Sequence, residues 1–122
     1  MSIEIEPDAS IFIDANIFLY AISGHWRFGK SSKELLKSVD GGEYKGLTSV
    51  LVCSEIFHRV LMAEIVEAKN IDPGSAVRFL KENPGIIRES HKAWDVLGKV
   101  RQIKHLSMAG LYQDTLEHWN LL

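Results

Sequence analysis

Apolar residues fall in short blocks punctuated by Gly, Pro, Ser and Asp. "IFI" at 11–13 is fully apolar and predicts a short strand. Asp14 stands where a fourth apolar residue would have extended it. Asn16 then fits the N-cap of a helix over Ile17 to Ile22. "SGHWRFGK" breaks the pattern with two glycines. "SSKELLKSVDGG" predicts a second helix, opened by a Ser31–Glu34 capping box and stopped by Gly41 and Gly42. "EYKGLTS" predicts a second strand that runs into Ser49, the cap of a long helix from Val50 to Lys69. Asp72 and Pro73 open the next helix. "NPG" is a turn, and "GIIRE" predicts a third short strand. Ser90 caps an amphipathic helix with Trp94, Leu97, Val100 and Ile103 on one stripe. "LSMAGLYQD" is a break, and "TLEHWNLL" predicts a last helix.

Strands that alternate with helices and are themselves short and apolar argue for a parallel sheet with helices on each side, an α/β fold in three layers. No repeat or linker divides the chain, so residues 1–122 are expected to form one domain. In such sheets ligands gather beyond the carboxyl ends of the strands. Asp14 is at such an end.

Composition narrows the chemistry. The chain has 122 residues, 46% hydrophobic and 25% charged, enough for one core without staples. Its net charge of −2 rules out nucleic-acid binding by global charge; a local patch or a metal would have to do it. Cys53 is the one cysteine, which excludes an intramolecular disulfide and a cysteine-rich zinc site and suits a reducing, cytoplasmic setting. "MSIEIEPDAS" is acidic and unlike a signal peptide. No apolar run approaches the roughly 18 residues of a membrane span.

Three carboxylates invite a functional reading, and each has a plainer one. Asp14 suits a turn. Glu55 lies on a helix apolar around most of its circumference, which predicts burial and a desolvation cost that a cation would relieve. Arg59, four residues on, offers Glu55 an ordinary helix ion pair instead. Asp114 opens "DTLE" and reads as an N-cap with Glu117 three residues later. Taken together, acids near the carboxyl end of a sheet, without paired His or Cys, select a hard cation such as Mg²⁺ or Mn²⁺. That set suits phosphodiester hydrolysis.

These residues resemble the PIN domain, and in particular the small prokaryotic ribonucleases of the VapC toxin type. "IFIDANIFLYAI" is similar to the family's opening strand, with Asp14 as first acid and Asn16 in the usual polar position. "LTSVLVCSEIFHRVL" is similar to the second motif, in which a strand ends in Thr or Ser, here Thr48, and a helix carries the second acid, Glu55. "LYQDTLEHW" is a weaker version of the third motif and points to Asp114. The resemblance spans about Ile11 to Trp119. It implies a Rossmann-like three-layer fold and a Mg²⁺- or Mn²⁺-dependent endoribonuclease acting on single-stranded or structured RNA. It also implies a small antitoxin protein as partner and a homodimer. Family members continue with a further strand, a last helix and a fourth acid, so a C-terminally shortened member is expected here. The alternative is a catalytically inactive PIN-like module that binds RNA or protein. A phosphatase using Asp14 as nucleophile would want an acid where Asn16 stands.

Among the remaining features, Trp26 and Phe28 beside Arg27 and Lys30 suit stacking on a single strand, or simply a loop whose aromatics pack on the core. Lys30, Lys33 and Lys37 lie near one helix face, as a phosphate-contact strip or a solvated face. The five histidines show no metal-ligand spacing, and Trp94 and Trp119 are expected in the core.

Overall fold

A computed structural model describes residues 10–109. It is a mixed α/β fold with a three-stranded parallel sheet and six helices in that span. The order is β1 (Ser10–Phe12), α1 (Ala15–Ser23), α2 (Gly29–Asp40), β2 (Lys45–Ser49), α3 (Val50–Lys69), α4 (Pro73–Glu82), α5 (Ile86–Glu89), α6 (His91–Gln102) and β3 (Leu106–Ala109). β2 is central and pairs with both neighbours in parallel, Ile11 beside Gly46 and Gly46 beside Leu106.

Several local expectations give way. α1 starts two residues earlier than predicted, with Asp14 and not Asn16 at the N-cap. Ser31 lies inside α2, where its hydroxyl donates to the Phe28 carbonyl; it does not cap. "GIIRE" is the short helix α5, and the third strand is "LSMA", which had read as a break. Both segments are short and partly apolar, so periodicity cannot separate them. The tertiary setting does: Ile86 and Ile87 pack into a helical cluster, while Leu106 and Met108 complete the sheet. Other signals hold in place. Ser49 caps α3, its Oγ accepting from the Val52 N–H at 3.1 Å, and Pro73 opens α4.

Side chains alternate across the sheet. Ile11, Ile13, Gly46, Thr48, Leu106 and Met108 share one face. Gly46 is required there, because a Cβ would come within 2.9 Å of both Leu106 Cδ1 and Val39 Cγ1. Helices α1, α2, α3 and α6 cover this face through Phe18, Val39, Val52, Cys53, Ile56 and Val100. That agrees with two successive crossovers of the usual right hand, which lie on the same side. On the opposite face, Ser10, Phe12, Lys45 and Ser107 are exposed. The expected third layer is not among the described residues.

α3 joins two cores. Its first half seats Val52, Cys53 and Ile56 on the sheet, and its second half seats Leu61 and Ile65 against α4, α5 and α6. At 20 residues it runs about 30 Å, longer than the sheet is wide. Trp94, expected in the core, is half exposed. Its indole N–H still donates to the Ile87 carbonyl at 2.9 Å, and its ring meets the edge of Phe57. No helix among the described residues is long and apolar enough to cross a membrane.

Candidate functional site

The carboxyl ends of β1 and β2 each run directly into a helix. Extending the register Phe12–Leu47 by two positions sets Asp14 beside Ser49. The N-termini of α1 and α3 therefore open side by side at one end of the sheet. Both present the positive end of a helix dipole, a setting that favours anions, although Ser49 Oγ already takes the Val52 N–H at the start of α3.

Asp14 is exposed at this end. It occupies the N-cap of α1, yet its carboxylate makes no capping bond. A cap or turn acid ordinarily accepts from an N–H two or three residues on, so the plain reading lacks its characteristic bond. The backbone around it is held firmly. Ile13 donates its N–H to the Leu47 carbonyl at 2.8 Å, and the buried Thr48 hydroxyl donates to the Ile13 carbonyl at 3.0 Å. Thr48 thus pins the residue preceding Asp14 to the central strand. Thr48→Val, nearly isosteric, is expected to cost about 1–2 kcal/mol, because the carbonyl is left without that donor. A urea melt with an unchanged midpoint would show that the bond does not hold the strand end. Asn16, expected to cap α1, sits exposed in its first turn, beside Asp14 in sequence.

Glu55 departs from its expected environment. Its side chain is 49% exposed, and Arg59 Nη2 lies 3.9 Å from its Oε1, the i to i+4 pair that the spacing offered. The predicted burial fails because this stretch of α3 buries only the face carrying Val52, Cys53 and Ile56. The face bearing Glu55 stays open, and Leu51 beside it is 72% exposed. Glu55 is six residues beyond Ser49, about 9 Å along the axis, and helical side chains lean toward the N-terminal end of their helix. Asp114 lies outside the described residues. Among the described residues no group of three His, Cys, Asp or Glu side chains is placed to hold a metal. Two exposed carboxylates are compatible with Mg²⁺, which commonly takes one or two from the protein and fills its remaining positions with water and substrate phosphate oxygens.

Cys53 is no candidate nucleophile. It is buried on the sheet side of α3, and burial pushes its thiol up, against a smaller opposing effect of Arg101.

His25 has a structural role that metal-ligand spacing does not reveal. Its Nδ1 accepts from the N–H groups of both Arg27 and Phe28 at 3.1 Å. Phe28 occupies the N-cap of α2 and has no side-chain acceptor of its own. A polar ring three residues upstream of an apolar N-cap was the available signal. Compared with known proteins, the chain matches no family model, no curated protein and no solved structure.

Proposed function

We propose that the chain is a metal-dependent ribonuclease with a PIN-like, three-layer fold, hydrolysing RNA phosphodiesters as the toxin of a toxin–antitoxin pair. The observation that carries this reading is Asp14: an exposed carboxylate at the carboxyl end of a parallel strand, free of a capping bond and held in place through Thr48. Asp14 and Glu55, joined by Asp114, would hold Mg²⁺ or Mn²⁺, with Asn16 as a polar neighbour. When bound, such a cation polarises phosphoryl oxygens and lowers the pKa of a coordinated water. The helix N-termini at Asp14 and Ser49 favour the approach of a phosphate. Glu55 must turn from Arg59 to take part, which an exposed pair permits at small cost. A homodimer and a small antitoxin over the acidic end belong to the same proposal.

The Glu55–Arg59 pair favours a second reading, a PIN-like scaffold that binds RNA or protein without catalysis. Two measurements on the full chain separate the two. The nuclease reading expects cleavage of labelled single-stranded RNA with Mn²⁺ that stops with chelator. It also expects Mn²⁺ at about a hundred times its Kd to stabilise the protein by about 2.7 kcal/mol. Chelator-insensitive cleavage sinks the metal mechanism. RNA binding with no cleavage and no Mn²⁺-dependent stabilisation establishes the binding module.

A further inference from the structure

We propose that the loop between α1 and α2 is a stacking platform for single-stranded nucleic acid, with Trp26 as its outer face and the lysines of α2 as its phosphate contacts. The core-packing alternative for this loop does not hold for Trp26, whose surface is 87% exposed. Its ring stacks on His25 at 5.8 Å between centroids and 23° between planes, and His25 stacks in turn on Phe28 at 5.4 Å and 16°. Tyr20 closes the group behind them. The indole is therefore supported on one side by a ladder of rings and is solvated over most of its surface.

The loop is locked. The His25 N–H donates to the Tyr20 carbonyl, its carbonyl accepts from Gly29, and its Nδ1 accepts from Arg27 and Phe28. Gly24 turns with a φ of +65°, and Gly29 packs so closely on it that a Cβ would lie 2.8 Å from the Gly24 carbonyl carbon. A large aromatic side chain held out in water on a fixed loop contributes little to folding and presents a preorganised surface to a ligand.

Charge selects the ligand. No Asp or Glu occurs between Asp14 and Glu34, whereas Arg27, Lys30 and Lys33 all lie there, in a chain of net charge −2. Lys30, Lys33 and Lys37 are exposed, follow an i, i+3, i+7 spacing along about 10 Å of α2, and make no ion pair among the described residues. A π-face leading into a row of cations fits a base followed by its phosphates. A duplex, whose bases are already stacked, offers no such face. This platform shares RNA with the nuclease proposal but none of its chemistry, and it is tested with the metal removed.

The experiment is fluorescence anisotropy of a short labelled single-stranded RNA of mixed sequence, in chelator, with the full chain. Trp26→Ala is expected to weaken binding roughly 5- to 100-fold. Trp26→Phe should retain most of the affinity, and Trp26→Leu, apolar but without a π-face, should behave like alanine. Lys33→Gln should lower the slope of log K against log salt by about 0.7. Melting temperatures should stay at the wild-type value, since Trp26 is outside both cores. Wild-type affinity in Trp26→Ala, equal binding of the matching duplex, or leucine as effective as phenylalanine overturns the platform. So does a wild-type chain that binds no RNA, which would leave Trp26 to a protein partner. RNA binding by a wild-type chain that shows no Mn²⁺-dependent cleavage upholds the platform and counts only against the nuclease.

Discussion

Asp14→Asn is expected to reduce Mn²⁺-dependent RNA cleavage roughly a thousand-fold, the loss of several kcal/mol of transition-state stabilisation. The substitution is clean for a structural reason. Asn keeps the shape of Asp and is an equally good N-cap residue, so α1 should form as before. The carboxylate makes no capping bond to α1, so none is broken. What disappears is one negative charge at the end of β1, with at most about 1 kcal/mol of helix-dipole stabilisation. Single-turnover cleavage beside a thermal melt makes the comparison. A variant that melts normally and cleaves at the wild-type rate would remove Asp14 from the chemistry, whatever the fate of Glu55. Glu55→Gln is the informative companion. Its exposed pair with Arg59 is worth only tenths of a kcal/mol, so a loss of activity there would report ligation and not stability.

Phe18→Ala should destabilise the fold by about 3–5 kcal/mol, a large share of the roughly 5–15 kcal/mol that holds a domain together. Phe18 is 1% exposed and is the largest side chain that α1 contributes to the sheet-side core, where it joins Ile13, Val39 and Val100. It also lines a groove of about 410 Å³ between α1, α2 and α6, with Ile22, Leu36 and Ile103 along its walls. Partial collapse of that groove would bring the cost toward the lower figure. Phe18→Leu, closer in volume, should lose less than half as much. Urea titration of the three proteins decides it. An unfolding free energy for Phe18→Ala within about 1 kcal/mol of wild type would mean that α1 is not seated on the sheet as described.

These two residues are four apart, and their legibility differs. The helix that carries Phe18 was readable, since "IFLYAI" is apolar and follows a strand end, but a run apolar at nearly every position does not say which residue faces the core. Asp14 could be located but not interpreted, since a turn, a cap and a ligand all use an acid at that point. The missing capping bond is a property of side-chain geometry, which no spacing encodes. Glu55 shows the opposite failure. An apolar circumference predicted burial, but the three-stranded sheet and the helices among the described residues do not cover this helix of about 30 Å on every side. Leu51 and Glu55 are left facing water.

By itself the sequence determined the alternation of strands and helices, the bounds of the long helix from Val50 to Lys69, its Ser49 cap, and the placing of Asp14 at a strand end. Those features rest on local chemistry: hydrophobic period, capping oxygens, and the fixed φ of Pro73 at the start of α4. The tertiary structure alone decided which apolar segment became the third strand. "GIIRE" and "LSMA" have similar local preferences, and only the free edge of β2 and the helical cluster around Leu61 distinguish them. It also decided that Trp26 faces water, because the hydrogen bonds that fix its loop converge on His25 from both sides of the turn.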